Sequence, residues 1–287
     1  YPPGRPPAAD LESAVVAEQT ALRQEICLAL NHHDHRKLLI VDGQVAFVGG
    51  LNVSDEYYYD EPFAGWHDVA VRLEGPAAVE ANRLFVTRWR ASGGDRVAWD
   101  DAAFFPPTDQ VGGSPVALLA QRPGQGEVAA AIMQAVAAAE REIWALNPYI
   151  NYDPLLAELV AAARRGVRVV MIVPDTHNDE PTAREALRRR SRALLDAGVE
   201  LYDYHERMSH AKVMLIDDHW VTLGSFNLNH RSFNHDLEAN ILVDDPLFAA
   251  EVRTRLFEVD LARSRPIQKG RGWRPTDWLL GLVEPFS

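Results

Sequence analysis

The chain has 287 residues, enough to bury a full core and to divide into two lobes. Asp and Glu outnumber Lys and Arg by 41 to 29, for a formal net charge of −12, which argues against bulk electrostatic binding to a polyanion and leaves room for a local basic site. A single cysteine, Cys27, excludes an intrachain disulfide, and no apolar run reaches the roughly 18 residues that would read as a membrane span.

In chain order, a Pro-rich start leads into a helical stretch over 22–30, where Cys27 reads as a small buried hydrophobe. Strands are predicted over 37–42, 44–48 and 68–73, followed by a helix over 77–91 and a Gly-, Asp- and Pro-rich linker over 94–114. Beyond it come a helix over 127–141, a strand over 143–150 and a helix over 154–165 closed by Gly166. The continuous apolar run 167–173 reads as a buried strand, 181–197 as a helix stopped at Gly198, and 199–204 as the next strand. Strands over 212–217 and 220–223 in hairpin relation, a strand over 237–243 and a helix over 247–262 complete the pattern.

This rhythm predicts an α/β fold of two pseudo-symmetric lobes, each a mostly parallel mixed sheet flanked by helices. The first lobe is expected over 1–93 and the second over 115–262, with a basic and apolar tail over 263–287. Residues 115–209 supply a full βαβαβ run ahead of the second hairpin. Only 34 residues precede the corresponding histidine of the first, so the first lobe is expected to be truncated at its N-terminus.

The strongest signal is a constellation that occurs twice. His35, Lys37, Asp42, Gly49 and Asn52 recur as His210, Lys212, Asp217, Gly224 and Asn227, each pair at one offset (210 − 35 = 175). Such a repeat predicts two copies of one unit that build a single site between them. On a strand, i and i+2 share a face, so His35 projects with Lys37 and His210 with Lys212. A tight hairpin at Asp42-Gly43 is expected to place Asn52 opposite His35 and Gly50 opposite Lys37; the same register places Asn227 opposite His210 and Ser225 opposite Lys212.

A phosphodiester suits such a pocket. Lys37 and Lys212, with the amides of Asn52 and Asn227 and the hydroxyl of Ser225, would hold the non-bridging oxygens where charge must be stabilised in the transition state. Two imidazoles on opposite sides of phosphorus would supply a nucleophile and a general acid, and an ordinary imidazole titrates at about pH 6.5, so both protonation states are accessible. Each imidazole needs an orienting acid, for which Asp68 in GWHD and Glu238 in NHDLEAN are the candidates. Asp42 and Asp217, at the hairpin turns, are expected to be structural. The scheme requires no metal and no cofactor.

HRKLLIVDGQVAFVGGLN and HAKVMLIDDHWVTLGSFN resemble the paired HKD motifs of the phospholipase D superfamily, including the downstream Gly and Asn in both copies. GGLNVSDEYY, GWHDVAVRLEGPAA, NPYINYDPLLAELVAAARRGVRVVMIVP and GSFNLNHRSFNHDLEAN narrow the resemblance to bacterial cardiolipin synthases and related phosphatidyltransferases, over residues 31–262. The resemblance implies a bilobal fold, a covalent phosphohistidine intermediate with His35 as nucleophile and His210 as acid, and transfer of a phosphatidyl group to an alcohol or water. It implies phosphatidylglycerol-like substrates and peripheral attachment to the cytoplasmic face of a bacterial inner membrane, or anchoring by segments outside this chain. A hydrolytic phospholipase D and a phosphodiesterase nuclease would use the same half-sites. A nuclease needs a basic groove that the acidic balance disfavours, so no nucleic-acid partner is expected.

Weaker signals have bland readings. Neighbouring residues of His32-His33-Asp34-His35 alternate in direction, which disfavours a metal site, and the histidines of 205–210 are five apart rather than the four of a zinc-protease helix. Gly124-x-Gly126 lacks the third glycine of a nucleotide fingerprint. Tyr57, Tyr58, Tyr59 and Trp66 could wall a lipid channel or simply pack. Arg263, Arg265, Lys269, Arg271 and Arg274 ahead of WLLGLVEPF would suit an anionic membrane surface or a tail folded back on the core.

Overall fold

The computed structural model describes residues 32–58 and 65–268. Cys27, Tyr59 and the tail from Lys269 onward lie outside the described residues. Among those described, 32–33, 38–48 and 71–113 form one compact unit, and 34–37, 49–58, 65–70 and 114–268 form another.

In the smaller unit, β1 (Leu38–Val41), β2 (Val45–Gly49) and β3 (Ala70–Glu74) make a sheet in the order β1-β2-β3. Helix α1 (Pro76–Ala91) follows directly. Gly75 turns the chain with φ 68°, and Pro76, whose missing N–H costs nothing at a first helical position, starts the helix. Ala78, Ala81 and Val86 form its buried stripe. The Gly- and Pro-rich stretch after α1 belongs to this unit: the Arg90 guanidinium lies 4.9 Å from the Trp99 ring centre, and Arg83 lies 5.0 Å from that of Phe105. On β1, Leu39 and Val41 point outward and are exposed.

The larger unit carries a nine-stranded mixed sheet. In chain order its elements are β4 (Val116–Arg122), β5 (Gln125–Gly126), α2 (Glu127–Ala138), β6 (Glu142–Leu146), α3 (Asp153–Arg164), β7 (Arg168–Val173), α4 (Pro181–Asp196) and β8 (Glu200–Tyr204). There follow β9 (Val213–Ile216), β10 (Trp220–Gly224), α5 (His230–Asn234), β11 (Glu238–Asp244) and α6 (Pro246–Val252). A π-helical turn at Arg253–Phe257 leads into α7 (Glu258–Ala262), and β12 (Ser264–Pro266) closes the chain order. In space the strands run β12-β8-β7-β6-β9-β10-β11-β4-β5.

Parallel pairing is confined to β6, β7 and β8; every other neighbour runs antiparallel. The sheet is mixed as expected, but its parallel share is smaller than the βαβ rhythm implies. The reason is β4, which pairs antiparallel with β11 at the far side and leaves β9, β10 and β11 between itself and β6. The hairpin and the strand after it thus fill the centre of the sheet.

Alternate strand residues Ile143, Ala145, Val169, Met171, Leu201, Met214 and Ile216 join Val128, Ile132, Val136, Leu155 and Leu159 of α2 and α3 in one core. Trp144, Val170, Ile172 and Leu215, pointing to the opposite face, are buried as well, as in a sheet covered on both sides. Helix α3 ends as its sequence predicts. Gly166 takes φ 96°, and the N–H groups of Gly166 and Val167 return to the carbonyls of Ala163 and Ala162.

Both hairpins turn through three residues, with one register. Val41 faces Val45 and Leu38 faces Val48; Ile216 faces Trp220 and Val213 faces Leu223. Among the described residues the only non-glycine positive φ angles are at Asp42 (53°), Asp217 (52°) and Asp218 (62°), all in these turns. The left-handed pair is followed by one more residue before pairing resumes, so the register differs by one from the expected one. Gly224, not Ser225, sits across from Lys212, bonding its N–H to the lysine carbonyl at 3.3 Å.

Candidate active site

The larger unit holds both histidines, both lysines and the acids Asp68 and Glu238, because residues 34–37 and 65–70 belong to it. Two short parallel bridges stitch the motifs together, and they are mirror images in sequence. Asp34, just before His35, bridges to Leu237, just before Glu238. Ser209, just before His210, bridges to His67, just before Asp68. The His35 N–H reaches the Leu237 carbonyl at 2.9 Å, and the His210 N–H reaches the His67 carbonyl at 2.7 Å.

The bridges make each histidine the neighbour of the other motif's acid. His35 Nδ1 lies 2.9 Å from both oxygens of Glu238, and His210 Nδ1 lies 3.0 Å from Asp68 Oδ2. Each Nδ1 is thereby oriented by a carboxylate, which leaves Nε2 as the nitrogen free to act on a substrate. The lysines repeat one geometry: Lys37 Nζ donates to the His35 carbonyl at 2.6 Å, and Lys212 Nζ to the His210 carbonyl at 2.5 Å. Each ammonium folds back beside its own histidine.

The two halves differ in their surroundings. The His35 side chain is 26 % exposed and that of His210 only 4 %, so solvent reaches the first far more readily. Around His210 stand Tyr57, Trp66 and Tyr149, with ring centres 5.5 to 6.0 Å from the imidazole. The Tyr57 hydroxyl reaches His210 Nδ1 at 2.6 Å. Tyr149 presents its ring to Lys212, 6.0 Å from Nζ, and donates its hydroxyl to Asp179 at 2.7 Å.

Burial governs the charges. It pushes His210 down to about 4, helped by the Lys212 ammonium and opposed by Asp68. It likewise pushes Lys37 down to about 8 against the pull of Glu238 and Asp68, and Lys212 down to about 7 against Asp68. Burial drives the hydroxyls of Tyr57 and Tyr149 the other way, above the usual phenol range, so both stay protonated and donate to carboxylates, Tyr57 to Asp68 and Tyr149 to Asp179.

The acids are supported differently. Glu238 is fully buried and accepts from the Ser225 and Ser232 hydroxyls, each at 2.5 Å. Ser225, read from the sequence as facing the ligand, directs its hydroxyl to this acid instead. Asp68 has Gly50 where the second half has Ser225, and a Cβ at Gly50 would collide with its carboxylate.

Asn52 is exposed while Asn227 is buried; the Asn227 N–H donates to Ser232 Oγ at 3.1 Å. The loop carrying Asn227 is fixed by Asn147, which accepts from Leu228 N and donates to the Phe226 carbonyl, and by Asn240, which accepts from Phe226 N. Asp217 sits away from the histidines and accepts from the N–H groups of Glu140, Arg141 and Glu142, tying the hairpin turn to the start of β6. Asp34 pairs with Arg36, and Tyr58 is exposed.

Sequence reasoning did not single out Ser232, and it gave Tyr57 no catalytic neighbour. For Ser232 a signal exists: Asn229 accepts from the Ser232 N–H as the cap of α5, and this local turn aims the hydroxyl back at Glu238. For Tyr57, nothing in the local pattern separates a wall from a partner.

Residues 132–259 match the family described as "Cardiolipin synthase, PLD-like domain". The chain is 30% identical over 259 residues to a cardiolipin synthase of Staphylococcus aureus, covering 88% of this chain and 52% of that protein. It is 33% identical over 243 residues to the probable cardiolipin synthase YwiE of Bacillus subtilis, covering 83% of this chain and 48% of the relative. The chain thus spans about half the length of the curated relatives it matches. Among solved structures it is similar in fold to the phosphatidylserine synthase of Haemophilus influenzae, with a TM-score of 0.68 and 14% identity over 90% of this chain and 72% of the other.

Proposed function

As the chain belongs to the phospholipase D superfamily, we propose that it is a cardiolipin synthase-like phosphatidyltransferase acting on anionic phospholipids at a membrane surface. The observation that carries this reading is the crossed pairing of His35 with Glu238 and His210 with Asp68, with a lysine folded beside each histidine. Two oriented imidazoles and two ammonium groups are what a two-step displacement at a phosphodiester needs.

In that mechanism His35 Nε2 attacks phosphorus, a P–N bond forms, and the P–O bond to the leaving alkoxide breaks. The alkoxide takes a proton from His210. An incoming alcohol then gives its proton to His210 while its oxygen displaces His35 from phosphorus. With phosphatidylglycerol as donor and acceptor, the leaving alcohol is glycerol and the product is cardiolipin. Lys37, Lys212 and the amides of Asn52 and Asn227 are assigned to the phosphate oxygens, and Asp42 and Asp217 to the turns. The proposed location is the cytoplasmic face of a bacterial inner membrane; no helix among the described residues is long and apolar enough to cross a membrane.

Incubation of the chain with phosphatidylglycerol vesicles, read by lipid mass spectrometry, tests the reading. Cardiolipin and glycerol are expected. Phosphatidic acid alone would make the enzyme a hydrolase, and cleavage of DNA with no change in lipid would make it a nuclease.

The shifted bases give a second expectation. In the ligand-free protein Lys212 falls to about 7, Lys37 to about 8 and His210 to about 4, so at pH 8 each is substantially or wholly unprotonated. A bound phosphodiester anion favours their protonated forms and raises all three. Binding at pH 8 should therefore draw protons from solvent, and affinity should fall as pH rises above about 7, as Lys212 deprotonates in the unbound protein, and more steeply above about 8, as Lys37 does. Titration calorimetry with a short-chain phosphatidylglycerol in buffers of different ionisation enthalpy reads the uptake directly. Binding with no proton uptake would show that the lysines do not face the phosphate.

A further inference from the structure

We propose that His67, through its bond to Asp260 on α7, is the positioning residue that holds Asp68 against His210. The inference rests on the reading of His210 as catalytic and goes beyond it to a pair that reaches out of the site.

The geometry is specific. His67 Nε2 donates to Asp260 Oδ2 at 2.8 Å, and the Asp260 side chain is almost wholly buried. The imidazole stacks on Tyr204 of β8, with ring centres 5.2 Å apart and planes 24° from parallel. The backbone of the same residue is locked on both sides of the catalytic histidine's approach: its N–H donates to the Met208 carbonyl at 2.8 Å, and its carbonyl accepts from the His210 N–H at 2.7 Å. The next residue is Asp68. One residue therefore ties the orienting acid, the segment that delivers His210 and α7 to one another.

The pseudo-symmetry says why this tie is needed on one side only. The position equivalent to His67 across the paired bridges is Leu237, which is apolar. There the acid is held directly, since Glu238 takes hydroxyls from both Ser225 and Ser232. At the position of Ser225 the first half carries Gly50, which has no hydroxyl to offer Asp68. Its carboxylate accepts from its neighbour's Val69 N–H and meets His210 and Tyr57, both of which are themselves working groups. Support for Asp68 comes through the backbone that His67 and Asp260 anchor. A loosened backbone there displaces an acid whose alignment with Nδ1 sets the tautomer of His210.

The test uses the full chain and the variants His67→Ala, His67→Gln and Asp260→Asn. The first readout is the slowly exchanging imidazole N–H proton of His210 in the NMR spectrum without substrate, assigned by its loss in His210→Ala. The corresponding His35 signal serves as internal control. Because no substrate is present, this readout stands even if the protein transfers no lipid, so failure of the functional reading and failure of this one are separable. In His67→Ala the His210 signal should be lost to exchange while that of His35 persists, and kcat should fall by about 10²-fold with KM little changed. His67→Gln, whose amide can still donate to Asp260, should restore the signal and most of kcat, and Asp260→Asn should fall between the two. Persistence of the His210 signal in His67→Ala would overturn the proposal. So would simultaneous loss of both histidine signals, which would mark His67 as a general prop of the fold.

Discussion

Turnover is expected to disappear in both His35→Ala and His210→Ala, and the two variants should part on a phosphatidyl ester whose leaving group needs no proton, such as phosphatidyl-p-nitrophenol. The physical reason is the division of labour. Loss of the nucleophile prevents the P–N bond from forming whatever the leaving group. Loss of the acid matters in the first step only when the departing oxygen is basic. With a nitrophenolate leaving group, His210→Ala should release one equivalent in a burst and then stall, because no base is left to activate the incoming alcohol. His35→Ala should show no burst. With phosphatidylglycerol both should fall by at least about 10³-fold. Rapid-quench measurement of nitrophenolate and of acid-labile phosphate on the protein checks both steps. A burst in His35→Ala and none in His210→Ala would exchange the two roles. The deeper burial of His210, which keeps it neutral until an anion arrives, makes this the first assignment to examine.

The second large effect is expected at Glu238. Its carboxylate has no solvent contact and serves three side chains at once: His35, Ser225 and Ser232. Glu238→Ala leaves two hydroxyls buried without this acceptor and opens a cavity, for a loss of roughly 3 kcal/mol in folding stability. It also removes the group that orients His35 Nδ1, so activity should be abolished in whatever fraction remains folded. Glu238→Gln keeps the volume and one acceptor oxygen. It should cost about 1 kcal/mol while still losing most of kcat, because an amide cannot stabilise the imidazolium as a carboxylate does. Urea unfolding midpoints set beside kcat for the two variants separate the contributions. An alanine variant as stable as the unsubstituted chain would mean that Glu238 is not the keystone of this network.

Much of the site was legible because strand periodicity and a fixed offset are local properties. His35 with Lys37, and His210 with Lys212, are expected to pair by alternation along a strand; all four lie just ahead of β1 and β9, and each lysine sits beside its histidine by bonding that histidine's carbonyl. The fold order follows from apolar runs closed by Gly166 and Gly198. The hairpin register was not legible to the residue. It depends on Asp42 and Asp217 entering the left-handed region, which adds a third residue to each turn. Ser225, expected to face the ligand, donates its hydroxyl to Glu238. Asp68 and Glu238 could be named as acids from their place at the heads of strands. Which histidine each serves could not, because the bridges Asp34–Leu237 and His67–Ser209 are contacts between segments far apart in sequence. The same holds for Asp260, which lies 193 residues from its partner. Parallel and antiparallel strands also read alike as apolar runs, which is why the place of β4 beside β11 was missed.

The crossed bridges bear on how such a pair of motifs can diverge. Each histidine travels in the gene with its own lysine but not with its own acid, so neither motif alone encodes a histidine together with the acid that orients it. A substitution that retunes Glu238 is felt by His35, and one at Asp68 by His210. The two copies are therefore bound to change together: grafting one motif from a relative would import a histidine fitted to an acid left behind, and chimeras that exchange only one copy should be less active than either parent.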